Sequence, residues 1–131
     1  MWRFHKLMWK VSGGRLGSKT RGMDVLELIT TGHKSGARRS VLIFYLLGDT
    51  GPLVCGSNSG ATHDPSWVKN LRADPLAIMV KDRKSTQVKG QFLTGDARSQ
   101  AFERFAKVYP DYSTYRELTD REIPVVVLES L

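Results

Sequence analysis

Apolar and polar positions in this chain group into short blocks of alternating or continuous hydrophobicity, with few long helical periods. Two β-branched runs, 25–31 and 40–47, flank a polar octet, Gly32-His33-Lys34-Ser35-Gly36-Ala37-Arg38-Arg39. Runs of that length between turn residues predict a pair of antiparallel strands. The turn Gly48-Asp49-Thr50-Gly51-Pro52 leads into a third strand over 53–57. Asp64-Pro65-Ser66-Trp67 predicts a helix start, with Asp64 as the cap and Pro65 in the first helical position. Asp74-Pro75 stops that helix near Ala73. Segments 77–81 and 85–93 predict two further strands around Asp82-Arg83-Lys84. A helix follows from Gly95-Asp96 to about Val108, burying Ala97, Ala101, Phe105 and Val108 with Phe102 nearby, and Pro110 ends it. A short helical piece over 111–118 and a last strand over 123–128 complete the pattern. Strands outnumber helices and do not alternate with them, so a doubly wound sheet is excluded. The expected fold is mainly β (α+β), a small closed or half-closed antiparallel barrel of about six strands with peripheral helices.

Ahead of the barrel, residues 1–11 predict an amphipathic helix. Phe4, Leu7, Met8 and Val11 share one face, Arg3, Lys6 and Lys10 the other, and Trp2 and Trp9 flank the apolar side. Packing on the protein's own surface is the ordinary fate of such a helix; lying in a membrane interface is the alternative. Residues 12–22, rich in Gly, Ser and basic side chains, read as a connector. The expected organisation is a helix and linker over 1–22 and a barrel domain over 23–131.

Length and composition narrow the class. A chain of 131 residues, 40% hydrophobic and 25% charged, is long enough for one well-cored globular domain. The single Cys55 excludes an internal disulfide, and its apolar neighbours Leu53, Val54 and Gly56 make it a small strand residue rather than a reactive thiol. His5, His33 and His63 are too scattered for a ligand set, so no metal is expected. No stretch reaches the ~18 apolar residues of a membrane span, and no secretory hydrophobic region is present, so a cytoplasmic location is expected.

Charge changes the picture more. The net +7 is concentrated early: residues 1–42 hold nine Lys/Arg against two Asp/Glu, whereas 90–131 hold five against seven. Such a region calls for an anionic partner. The polar octet has the chemistry for one. Gly32 and Gly36 permit a backbone that gathers N–H groups, Lys34, Arg38 and Arg39 are cationic, and Ser35 is a hydroxyl donor. Taken alone, such a tip is more often a solvated basic turn.

Three blocks move the reading beyond that. They are Thr30-Thr31-Gly32-His33-Lys34-Ser35-Gly36; Ser57-Asn58-Ser59-Gly60-Ala61 with Asp64-Pro65-Ser66-Trp67-Val68-Lys69-Asn70-Leu71; and Tyr109-Pro110-Asp111-Tyr112 with Thr119-Asp120-Arg121-Glu122-Ile123-Pro124. In that order and spacing the chain resembles, over nearly its whole length, the deazaflavin-dependent nitroreductases, split β-barrel oxidoreductases that use coenzyme F-420. The resemblance implies a six-stranded antiparallel split barrel of the FMN-binding type, and a cofactor whose ring is tethered to a phosphate and a string of glutamates. On this likeness Lys34, Ser35 and Arg39 meet the phosphate and tail, with Arg38 as helper. Val41 and Leu42 lie on the wall beside the ring, Ser57 and Asn58 border it, Ser66 and Trp67 present helix-start N–H groups, and Asn70 is a more distant contact. The implied reaction is hydride transfer from the reduced coenzyme to a quinone, nitroaromatic or activated enone.

Tyr109, Tyr112 and Tyr115 recur every third residue, which brings them onto one helical face. They match the family's substrate-side tyrosines, and Ser57 is a second donor for the charge that develops on the acceptor. Amphipathic packing of a short helix explains the same spacing. Where family members commonly carry a proline early in the second strand, this chain runs on as Val41-Leu42-Ile43, and Phe44 stands where many have tyrosine; both changes bear on substrate choice. Rival readings are the same barrel holding FMN or haem, and a basic nucleic-acid-binding module, for which no motif is present. A peripheral membrane contact through residues 1–11 would add to the first reading.

Overall fold

The computed structural model describes residues 24–131. The expected helix over 1–11, its membrane contact and the connector over 12–22 lie outside the described residues.

Six strands form one closed antiparallel barrel. They are β1 (Asp24–Thr31), β2 (Arg38–Leu47), β3 (Pro52–Cys55), β4 (Leu76–Lys81), β5 (Lys84–Phe92) and β6 (Val125–Ser130), in the order β1-β2-β3-β6-β5-β4 with β4 returning to β1. Three helices are added: α1 (Ser66–Ala73), α2 (Gly95–Val108) and α3 (Asp111–Glu117).

Two apolar layers explain the strand patterns. Every strand sends residues into the lumen, including Leu26, Leu28, Tyr45, Val54, Val88 and Leu128, and α1 plugs it with Trp67, Val68 and Leu71. Outside the β3–β6 wall a second layer joins Leu53, Cys55, Val125 and Val127 to Phe102, Phe105 and Tyr112 of α2 and α3. Strands β3 and β6 are therefore covered on both faces, which is why they read as continuous apolar runs. Strand β5 has water on one face and alternates, with Val88 and Gly90 buried between exposed Gln87, Lys89 and Gln91.

The structure corrects several local expectations. Pro65, not Asp64, occupies the cap position of α1, and no side chain caps the helix. The Asp64 carboxylate is instead held by Arg121, 2.7 Å away, a stronger partner than a backbone N–H. Strand β3 ends at Cys55 because Ser57 opens a tight turn, and β6 begins at Val125. In α2 the buried stripe is Ala101, Phe102, Phe105 and Ala106. Ala97 lies in an open surface groove and Val108 is 39% exposed. The stripe turns toward Tyr112, whose ring meets both Phe102 and Phe105 edge-on.

Candidate active site

The barrel is closed unevenly. Strands β2 and β3 pair only at Leu46↔Leu53 and Leu47↔Pro52, whereas β2 pairs with β1 along eight positions from Asp24↔Tyr45 to Thr31↔Arg38. The first part of β2 thus has a neighbour on one side only, and alternate backbone groups point into the split. The split is a cleft of about 560 Å³, within the ~300–1,000 Å³ of small-molecule sites. Val41, Leu42, Ile43 and Phe44 line one wall. Cys55, Ser57, Asn58 and Ser59 line the other, and Trp67 and Tyr112 also border it.

The polar wall is a strained turn. Asn58, Ser59 and Gly60 are all left-handed, with φ of 49°, 54° and 82°. Asparagine tolerates this well and serine less so. Gly60 N–H bonds to Ser57 C=O at 2.9 Å, and Asn58 Nδ2 to His63 C=O at 3.1 Å. Arg121 fastens the turn from outside. Its Nη2 donates to Ser57 C=O (2.8 Å), its Nε to Ala61 C=O (3.0 Å) and its Nη1 to Asp64 Oδ1 (2.7 Å).

Beyond the turn, α1 opens toward the cleft. Val68 and Lys69 N–H both return to Pro65 C=O, so Ser66 and Trp67 N–H point out of an uncapped helix end, where an anion is favoured. Trp67 borders the cleft, while Ser66 is exposed beside it. One turn later Asn70, fully buried, ties α1 to the hairpin. Its Oδ1 accepts from His33 N–H at 2.9 Å and lies 2.7 Å from His33 Nδ1, and its Nδ2 donates to Thr30 Oγ1 at 2.9 Å. Asn70 therefore faces the hairpin and positions it.

The hairpin tip is built to stay open. Gly32 N–H bonds to Ala37 C=O and Gly36 N–H to Gly32 C=O, with Gly36 at φ 75°. Ser35 Oγ accepts from Ala37 N–H at 3.1 Å, which leaves its own hydrogen to donate outward. Lys34, Ser35 and Arg39 are exposed on the tip and the strand leading from it to Val41. Arg38 is turned the other way, as neighbours in a strand must be. It lines a separate cavity of about 210 Å³ with Thr31, Asp74 and Gln87 on the outer face of the barrel.

Of the three spaced tyrosines, only Tyr112 lines the cleft. Tyr109 and Tyr115 flank it edge-on, each with ring centroids 5.6 Å from it, and both are half-buried against the outer layer. Burial, reinforced by Cys55 and the two flanking tyrosines, pushes the Tyr112 hydroxyl above its ordinary range. Burial likewise pushes the Cys55 thiol up to about 12, against the pull of Arg98, Ser57 N–H and Arg121. Both groups hold their protons near neutrality, so the cleft offers a hydroxyl donor and an inert thiol.

The structure thus brings Val41, Leu42, Ser57, Asn58, Trp67 and Tyr112 to one cleft, with Lys34, Ser35 and Arg39 exposed on the hairpin that leads into its β2 wall. It leaves Arg38 apart and gives Asn70 a supporting place. Sequence reasoning assigned no site role to Arg121, His33 or Cys55, and tied Ile43 and Phe44 only to substrate choice. For Arg121 the only signal was its place in the Thr119–Pro124 block, a charge that in a loop reads as solvated.

Comparison with known proteins agrees with this architecture. The family model for F-420H(2)-dependent quinone reductase matches residues 1–130. An F-420H(2)-dependent quinone reductase of Mycobacterium tuberculosis is 27% identical over 132 residues, covering 96% of this chain and 87% of its own. Among solved structures, an F-420-H2 dependent reductase superposes with a TM-score of 0.72 at 29% identity, covering 80% of this chain and 93% of its own. A second, described as a domain-swapped dimer, does so at 0.73 and 26%, covering 98% and 97%.

Proposed function

This chain belongs to the F-420H(2)-dependent quinone reductase family, and from that premise we propose which of its residues carry the reaction. It is an oxidoreductase that uses coenzyme F-420 and reduces quinones. The FMN, haem and nucleic-acid readings are not favoured by that match.

The observation that carries the assignment is an apolar split beside an uncapped helix start, with that helix tied through Asn70 to the cationic hairpin. A flat ring with an acidic tail fits that sequence of surfaces. Val41, Leu42 and Trp67 would hold the ring, Ser57 and Asn58 its polar edge, and Ser66 and Trp67 N–H the first anionic group. Lys34, Ser35 and Arg39 would hold the tail, and Arg38 serves as a peripheral charge. When bound, the reduced deazaflavin supplies a hydride.

The chain's own share is positioning, exclusion of water and charge stabilisation. Phe44 and Ile43 keep the cleft apolar, so a hydrogen bond there is stronger than in water. Tyr112 donates to the quinone oxygen that becomes anionic as the two electrons arrive. Because its hydroxyl is held above its ordinary range, Tyr112 keeps its proton, and the proton that completes the quinol enters from water. Ser57 Oγ is a second donor, and Tyr109 and Tyr115 set the Tyr112 ring.

Nitroaromatics and activated enones are alternative electron-poor acceptors of the same cleft. A quinone dissolved in lipid would give residues 1–11 a role at the cytoplasmic membrane surface, which liposome co-sedimentation with and without those residues would test. The central test is a fluorescence titration with oxidised F-420. Lys34→Ala and Arg39→Ala are each expected to weaken binding about 10-fold, the loss of one charge-assisted contact, with an unchanged melting temperature. Equal affinities in all three proteins would remove the hairpin from the site.

A further inference from the structure

The turn 57–61 holds one short 3-10 segment, Asn58–Gly60, whose backbone departs from helical angles at Ser59. Two short backbone bonds and one asparagine amide hold three left-handed residues in line. Such a conformation persists only where its surroundings over-determine it. The surroundings here are few. On one side Gly60 lies against α3: a Cβ at that position would sit 2.9 Å from Leu118 Cδ1 and 3.2 Å from Tyr115 Cα. On the other stands Arg121, in the loop between α3 and β6.

We propose that Arg121 is the positioning residue of the cleft: its guanidinium ties both ends of the loop 57–64 to the segment that follows the tyrosine helix and so sets Ser57 and Asn58 against Tyr112. The inference rests on the coenzyme-cleft reading of that loop.

The argument is one of donor geometry. A guanidinium is planar with five N–H donors in a fixed fork. Arg121 points three of its nitrogens at three acceptors that are not neighbours in sequence: Ser57 C=O, Ala61 C=O and Asp64 Oδ1. Ser57 starts the loop and Asp64 lies two residues before α1, so one side chain fixes where the polar wall begins and where the helix end points. The side chain is only 15% exposed, which strengthens each bond. Arg72 Nε stands 3.9 Å from the other Asp64 oxygen and braces the carboxylate from α1. Within the loop Asn58 Nδ2 also reaches across to His63 C=O at 3.1 Å; Arg121 bridges the two halves from a separate segment of the chain. An ammonium in the same place reaches one or two of the three acceptors and cannot reproduce the fork.

The consequence is specific. Weakening the fork moves the polar wall relative to Tyr112 while the barrel ladders stay intact. Catalysis suffers beyond what stability loses, because small misplacements of reacting groups are costly.

The test compares the full-length parent, Arg121→Lys, Arg121→Ala and Asp64→Asn. In the unliganded proteins, hydrogen exchange reads the clamp directly: in Arg121→Lys the amides of Gly60 and Ala61 are expected to exchange faster, with β1 amides unchanged. Steady-state reduction of menadione is expected to fall about 10-fold or more in kcat for Arg121→Lys, and millimolar guanidinium to restore part of the loss in Arg121→Ala. Asp64→Asn, which keeps both carbonyl bonds, is expected to lie between. Should Arg121→Ala fail to fold, Arg121→Lys and Asp64→Asn still decide. Unchanged exchange at Gly60 and Ala61, or turnover of Arg121→Lys within about twofold of the parent, overturns the proposal. Failure of the parent itself to bind oxidised F-420 strikes the coenzyme reading instead, and the exchange result still judges the clamp.

Discussion

Tyr112 and Cys55 show how burial sets chemistry one side chain at a time. Both border the cleft, and both titrate high because their charged forms would be desolvated. For Tyr112 the consequence is functional: a hydroxyl that remains a donor can stabilise an oxyanion throughout the working pH range. Tyr112→Phe is expected to lower kcat for menadione about 10- to 100-fold with little change in coenzyme affinity. Stopped-flow turnover beside a fluorescence titration checks this, and an unchanged kcat removes Tyr112 from the mechanism. For Cys55 the consequence is a stability limit. The unfolded chain loses the thiol proton near its ordinary 9.0, whereas the folded protein keeps it to about 12. Stability from this group is therefore complete below pH 9.0 and falls as the pH rises toward 12. Thermal melts from pH 7 upward are expected to decline in that window, and Cys55→Ala to move the onset toward 10.0, the ordinary tyrosine value. An onset that stays put would assign the decline to other groups.

Among the elements, the turn 57–61 and α3 act as a unit. The tyrosine helix is short and carries no capping side chain, so its place comes from contact. Gly60 provides that contact because it alone can take φ 82° and leave room for Leu118 and Tyr115. Gly60→Ala is expected to cost about 1–3 kcal/mol, measured by urea denaturation. A loss much below that would mean the turn shifts freely, and that α3 does not set its geometry. The hairpin between β1 and β2 follows the same logic at the other end of the cleft. Asn70 is buried because its three contacts, to His33 N–H, His33 Nδ1 and Thr30 Oγ1, are all within α1 and the hairpin. The backbone N–H identifies its acceptor atom as the oxygen, so His33 Nδ1 must carry a hydrogen. Sequence reasoning placed Asn70 near the coenzyme without this bond, since 37 residues separate it from His33.

At the scale of the whole molecule, charge and closure decide the behaviour. The net +7 is uneven, and Lys34 and Arg39 stand exposed on the hairpin between β1 and β2. Binding of an acidic coenzyme should therefore weaken with salt. Raising NaCl from about 20 to about 200 mM shortens the screening length from roughly 20 to 7 Å and is expected to cost about tenfold in affinity; a flat response would argue against a charged tail in contact with the hairpin. Much of the architecture was legible in the chain itself. Strand positions, the barrel class and the cationic hairpin follow from β-branched runs, turn residues and charge, because period and turn chemistry act over a few neighbours. The family resemblance pointed to the same residues around the cleft. What the chain left open was decided by contacts between distant segments. The brevity of the β2–β3 ladder opens the cleft, Arg38 and Arg39 part because a strand alternates, Tyr112 alone of three tyrosines reaches the site, and Arg121 finds acceptors some sixty residues away. Local sequence encodes which elements form; which side chains meet is set only when the barrel closes and brings remote donors and acceptors within hydrogen-bonding distance.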